Sequence, residues 1–131
     1  MNLLFAPESV KERQSVFLNL CDILAPNGRL EMSQNLDEFS ASLAQLNSPE
    51  IVVMLGIKKN DMPSIMSLFS LIHDAAILIL LSEYDADTVK SAIGLRPKFI
   101  GTMERDLEKV VPIVRKLVRT HNVRVQKILS C

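Results

Sequence analysis

The sequence predicts an open α/β fold, a doubly wound parallel sheet of five strands in the order 2-1-3-4-5 between two helical layers. Three observations predict it. Ile51–Leu55 (IVVML) and Ala76–Leu81 (AILILL) are unbroken apolar runs rich in branched residues, as parallel strands read when helices cover both faces. Apolar segments alternate with stretches of helical periodicity, strand then helix, five times over. The connections are short, so right-handed crossovers return each strand to the same sheet. The long apolar strands, first, third and fourth, belong in the middle, and the weaker second and fifth at the edges.

Each element has its own signal. Asn2–Phe5 (NLLF) is a short apolar strand, and Ser9 with Glu12 forms a capping box for the helix that follows. That helix carries Val10, Phe17, Leu20, Cys21 and Leu24 at helical spacing and stops before Pro26-Asn27-Gly28. Arg29–Ser33 alternates, with Leu30 and Met32 on one face, as an edge strand does. Asn35 caps a second helix, with Glu38 at its third position and Leu36, Phe39, Leu43 and Leu46 facing inward.

The central strand ends at Gly56, and Asp61 is placed to cap a helix over Met62–His73 that buries Ile65, Met66, Phe69 and Ile72. After the fourth strand, Asp85 caps a short helix with Val89, Ala92 and Ile93 inward, terminated by Gly94 and Pro97. Lys98–Gly101 is a brief fifth strand. The last helix spans Arg105–Thr120 with Leu107, Val110, Val111, Val114, Leu117 and Val118 as its apolar stripe. Pro112 lies inside it and predicts a kink or a frayed first turn, since an interior proline costs about 3 kcal/mol. Residues 1–120 therefore read as one domain, and 121–131 as a helical or irregular connector.

Composition narrows the function. The 131 residues are 48% hydrophobic and 23% charged, enough apolar material for one real core. Aromatics are only 5% with no Trp, which argues against stacking of single strands or sugars. Fifteen basic residues balance fifteen acidic ones, so direct nucleic-acid binding is not expected. The charge is uneven, however: Lys98–Cys131 holds eight Lys or Arg against three acids. A basic solvated face on the last helix accounts for this, and so does a surface that meets acidic groups of a partner.

Cys21 and Cys131 form neither a disulfide framework nor a metal site. No signal peptide and no apolar run of membrane-spanning length is present, so the expectation is a cytoplasmic protein without cofactor or membrane partner.

From residue 77 to 118, ILILLSEYDADTVKSAIGLRPKFIGTMERDLEKVVPIVRKLV resembles a response-regulator receiver domain, and the likeness extends over essentially the whole chain. It implies the flavodoxin/CheY-like three-layer fold. Receivers transfer a phosphoryl group with an acidic pair that holds Mg²⁺, an Asp ending the third strand, a Ser/Thr ending the fourth and a Lys ending the fifth. Here these positions fall on Ala6 and Pro7, Gly56, Ser82 and Thr102. Only the hydroxyl of Ser82 is kept. The resemblance therefore implies a pseudo-receiver, without the carboxylates for metal or phosphoryl group.

The LG in place of LD, with the polar loop after it, is similar to the atypical N-terminal domain of FleQ/FlrA-type flagellar regulators. Those are sigma-54-dependent activators in which a receiver-like domain precedes an ATPase and a DNA-binding domain. Receivers commonly pair through the helix after the fourth strand, the fifth strand and the last helix. Glu83, Asp85 and Asp87 face Arg105, Lys109, Arg115, Lys116 and Arg119 in that scheme, both signs on one patch, as an isologous dimer needs.

Other constellations carry less. The glycines form neither GxGxxG nor a P-loop. His73 and Asp74 are adjacent in sequence, and neighbours on a helix do not face each other, so His73 reads as a partner of the helix C-terminus. Arg115 and Arg119 have the RxxxR spacing of some phosphate-binding helices, which also arises by chance. The expected function is a non-enzymatic regulatory or dimerisation domain of a bacterial transcription regulator, acting on a second copy or a partner protein. The competing expectation is a sensor of a small anion or nucleotide, bound near Gly56, Lys58 and Ser82.

Overall fold

A computed structural model describes residues 2–6, 14–24, 30–45 and 49–129, the stretch 121–129 by its backbone alone. Five strands, β1 (Asn2–Phe5), β2 (Leu30–Ser33), β3 (Ile51–Ile57), β4 (Ala76–Leu81) and β5 (Phe99–Thr102), form one sheet in the order β2-β1-β3-β4-β5. Every described pairing is parallel, as the sequence predicts. The helices are α1 (Gln14–Leu24), α2 (Leu36–Gln45), α3 (Met62–Ser67), α4 (Phe69–Ile72), α5 (Ala86–Ile93) and α6 (Met103–Leu129). The Ser9 capping box, Val10, the Pro26-Asn27-Gly28 turn and Leu46 lie outside the described residues.

The sheet divides the core in two. Phe5, Val52, Met54, Ile77, Ile79 and Leu81 pack under α2, α3 and α5 on one face. Leu4, Val53, Leu55, Leu78 and Leu80 pack under α1 and α6 on the other. Alternate residues of one strand thus serve two cores, which is why β3 and β4 need apolar side chains without a break. Phe5 and Phe39 meet edge to face, ring centroids 5.7 Å apart, a contact that adds about 1 kcal/mol beyond burial. At the sheet's opposite end Asn2 Nδ2 donates to the carbonyl of Leu24 (3.2 Å), satisfying one of the orphan acceptors where α1 ends.

β3 runs past its predicted end. Leu55 stands opposite Leu80 and Ile57 opposite Leu81, so Gly56 is an extra, unpaired residue: a β-bulge. Its φ is +70°, a left-handed conformation that a side chain resists by about 1–2 kcal/mol. The bulge re-phases the strand. Strict alternation would send Ile57 to the α6 face with Leu55, yet it packs with Met54 and Leu81 on the other.

Caps and breaks follow local hydrogen bonding. Asn35 Oδ1 accepts from Glu38 N (2.9 Å), as predicted, while Glu38 Oε2 reaches back to Gln34 N (2.8 Å). Asp61 stands at the N-cap of α3, as predicted, but makes no side-chain cap bond there; its carboxylate accepts from Lys58 N (3.0 Å) and closes a 3₁₀ turn over Lys59–Asp61. The single helix expected over Met62–His73 is two short ones. The Ser67 hydroxyl donates to the Ser64 carbonyl (2.6 Å), competing with the helical ladder, and Leu68 leaves helical geometry. Met66, predicted inward, is exposed in consequence.

In α5 Thr88 and Ala92 are buried and Val89 packs half-buried against the same core, whereas Ile93 is exposed. Burying Thr88 is cheap because its hydroxyl is bonded to Asp85. Gly94 keeps right-handed geometry, and the left-handed turn falls instead on Arg96, at φ 55°, before Pro97. α6 is continuous through Pro112 from Met103, with no frayed first turn. Pro112 and Glu108 are both exposed, so water can take the carbonyl that Pro112 leaves without a donor.

Candidate functional site at the carboxyl ends of the strands

In an open parallel sheet, loops at the carboxyl ends of the strands form the crevice in which chemistry is done. Here β1 delivers Ala6, buried, with its N–H bonded to the carbonyl of Ser33 (2.9 Å). Pro7 lies outside the described residues. Gly56 is buried in the β3 bulge. The backbone that follows is tied to β4, Ser82 N donating to Ile57 O (2.8 Å). Ser82 is half-buried at the rim, and Thr102 closes β5.

Thr102 sits where the chain turns into α6, and its N–H is committed. It donates to Asp106 Oδ2 (2.9 Å), and Asp106 Oδ1 takes Lys109 Nζ at 2.9 Å. The Thr102 N–H, followed by Lys109, holds the Asp106 carboxyl below the usual carboxylate range. This close approach depends on Gly101: a Cβ there would stand 2.8 Å from Asp106 Cβ and Cγ. Asp85 is likewise committed as the α5 cap, accepting from Thr88 Oγ1 (2.6 Å) and Thr88 N (2.9 Å). Those two bonds, the hydroxyl first, push its carboxyl below its ordinary value, with Lys59 adding a smaller attraction.

Two concavities flank Ser82-Glu83-Tyr84. One, of about 350 Å³, is lined by Lys58, Lys59, Ser82 and Thr88 among others. The other, of about 500 Å³, has Val89 and Ile100 in its walls, with Glu83 and Arg105 among its charged groups. The structure thus joins Lys58 with Ser82 but not with Gly56. It also joins Glu83 with Arg105. Asp85 and Lys109 are each engaged locally instead. Asp87, Arg115, Lys116 and Arg119 are exposed, and the described ion pairs include none between α5 and α6.

Tyr84, 74% exposed between the two concavities, escaped notice in the sequence. A lone tyrosine in an acidic loop could have drawn the eye. His73 and Asp74, expected to be apart, do meet: Nε2 lies 3.4 Å from Asp74 Oδ1, because both follow the last helical turn. The other ring nitrogen lies 2.9 Å from the Ser70 carbonyl, the helix-end role the sequence predicts. Among the described residues no cluster of His, Cys, Asp and Glu could hold a metal ion, and no helix is long and apolar enough to cross a membrane.

No protein-family model and no curated protein sequence matches the chain. Solved structures do. A signal receiver domain of a histidine kinase from Clostridium thermocellum superposes with a TM-score of 0.67 over 89% of this chain and 96% of that one, at 13% identity. The fold is the CheY-like receiver fold. A CheY-like response regulator from Mesorhizobium loti gives a TM-score of 0.63 at 16% identity, covering 88% of this chain and 97% of its own. A CheY-like protein, TadZ, from Pseudomonas aeruginosa gives 0.57 at 15% identity, covering 89% and 98%. At such identities the likeness speaks for the fold. What this receiver fold does must be argued from its own residues.

Proposed function

We propose that the chain is a phosphorylation-incompetent pseudo-receiver, a non-enzymatic regulatory domain that acts through contact with another protein surface. One observation carries the reading. The position that the resemblance assigns to the acceptor is Gly56, buried and held at φ +70° in a bulge, with no carboxylate to carry a phosphoryl group. Ala6 at the metal-binding position and Thr102 at the lysine position support it. Residues 1–120 are then the domain and 121–131 the connector, in the N-terminal part of a bacterial transcription regulator. The flagellar sigma-54-dependent activators of the FleQ/FlrA type are the narrower case.

The test is acetyl phosphate with Mg²⁺ followed by intact mass. No phosphoryl mass is expected. An Mg²⁺-dependent gain that disappears in Asp61→Asn or Asp85→Asn would overturn the reading.

The working surface in this proposal is the groove that holds Glu83, Tyr84 and Arg105, extended along the exposed basic face of α6. Two copies related by a two-fold axis would set the acidic loop of one against Arg105, Lys116 and Arg119 of its mate. Exposed pairs of this kind contribute about 0–1 kcal/mol each, so they set register, while Tyr84 supplies buried area.

A second reading is favoured by the concavity of Lys58, Lys59 and Ser82, a sensor for a small anion. A ligand that binds only the folded chain must raise its melting temperature, so a thermal-shift screen separates the two.

A further inference from the structure

The amino ends of the strands carry a groove of about 740 Å³, within the size range of small-molecule sites. It lies between the starts of β3 and β4, the α5–β5 turn and the last core turns of α6, far along the strands from Gly56. Arg96 and Lys98 form one wall, Glu50, His73 and Asp74 another, and Thr120 adds a backing from α6.

Arg96 is the unexpected member. It occupies the left-handed position that ends α5, with its N–H bonded to Ile93 O (2.9 Å) and Pro97 following. Glycine is the ordinary residue there, and among others the short polar Asn and Asp. Arginine gains nothing from that backbone. Gly94 stands two positions away with right-handed geometry, where a Cβ would come within 3.1 Å of the Ser91 carbonyl oxygen, so the glycine serves a close approach and not the left-handed turn. Strain at a groove-lining residue is the kind of outlier from which a functional role is inferred.

The charges point to the ligand. Neither Arg96 nor Lys98 has a carboxylate partner among the described residues, and both are exposed at the groove. Of the carboxylates opposite, Asp74 lies 3.4 Å from His73 Nε2, and Glu50 has an interaction of its own. Arg96 and Lys98 thus present a guanidinium and an ammonium two residues apart on one wall of the groove. We infer that this groove binds the phosphate of a small phosphorylated molecule, Arg96 forking onto two oxygens and Lys98 adding a point charge. The site is independent of the pseudo-receiver reading, being at the other end of the sheet.

The experiment is a titration with inorganic phosphate, against chloride at equal ionic strength, followed by backbone amide NMR shifts and melting temperature. Saturable shifts confined to residues 73–76 and 96–98 are expected, with a raised melting temperature. Arg96→Gly should melt higher than the parent without phosphate yet bind it about tenfold more weakly, since a bidentate contact is lost. Lys98→Gln should weaken binding while leaving the melting temperature unchanged. Shifts that do not saturate, or identical titrations in the parent, Arg96→Gly and Lys98→Gln, would overturn the proposal.

Discussion

Two of the described residues hold left-handed backbone, at opposite ends of the sheet: Gly56 in the β3 bulge and Arg96 before β5. Gly56 adopts that geometry at no steric cost, and the bulge it permits turns Ile57 toward Met54 and Leu81. Arg96 adopts it against a cost of about 1–2 kcal/mol. At the carboxyl ends the left-handed position is held by a residue with no side chain. At the amino ends a long cationic side chain is kept where its absence would be easier. The pairing separates a position that suits its backbone from one occupied at a cost.

The largest effect should come from Gly56→Asp. The new carboxylate would be buried and left-handed at once, and we expect a loss of about 3 kcal/mol or more, read as a lower urea midpoint. Acetyl phosphate and Mg²⁺ should still add no mass, because Ala6 supplies no metal ligand. A stable, phosphorylated Gly56→Asp protein would erase the contrast between the two ends.

Next is Gly101→Ala. Its methyl must displace Asp106, which frees the Thr102 N–H, and a loss of about 1–3 kcal/mol follows. Asp106→Ala combined with it should recover little, since the Asp106 Cβ stays 2.8 Å from the new methyl and the Thr102 N–H has no carboxylate to bond. Arg96→Gly should act in the opposite direction, a gain of about 1 kcal/mol once the greater freedom of the unfolded glycine is subtracted.

The smallest effect is on acid stability. Asp85 and Asp106 have lowered folded pKa values, so their contribution is complete above the unfolded value of about 3.9. It fades as pH falls through the lowered folded values. Asp85→Asn keeps an oxygen for Thr88 N but does not titrate, so its denaturant midpoint should fall less than the parent's between about pH 5 and about pH 3. Equal losses would detach Asp85 from acid unfolding.

The fold was legible because burial on two faces forces unbroken apolar strands, and β3 and β4 have them. Strand order followed from which runs were most continuously apolar. The stripe of α6 was equally plain, since Leu107, Val110, Val114 and Val118 recur at helical spacing and are all buried. The bulge was not legible. A glycine after an apolar run reads as an ending, and only the pairing of Ile57 with Leu81 reveals that the strand goes on. The burial of Thr88 was not legible for a similar reason: its hydroxyl is bonded to Asp85, which no periodicity encodes. Of the candidate site, the loss of carboxylates could be read position by position. The cap bond of Asp85 was legible too, an Asp before a helical run being a cap signal, whereas the pairing of Lys109 with Asp106 one turn earlier on α6 was not.

α6 holds one consequence more. Its helical backbone continues from Thr120 to Leu129, a span of about 13 Å at 1.5 Å per residue. A helix is stiff in torsion over that distance, unlike a flexible linker, whose ends soon lose memory of one another's direction. A small roll of α6 on the bed formed by Leu4, Val53 and Leu80 is therefore delivered at Leu129 as the same angle, displaced but not diluted. The domain has in this helix a drive shaft, whose angular position is set by side-chain packing at one end and can be read at the other.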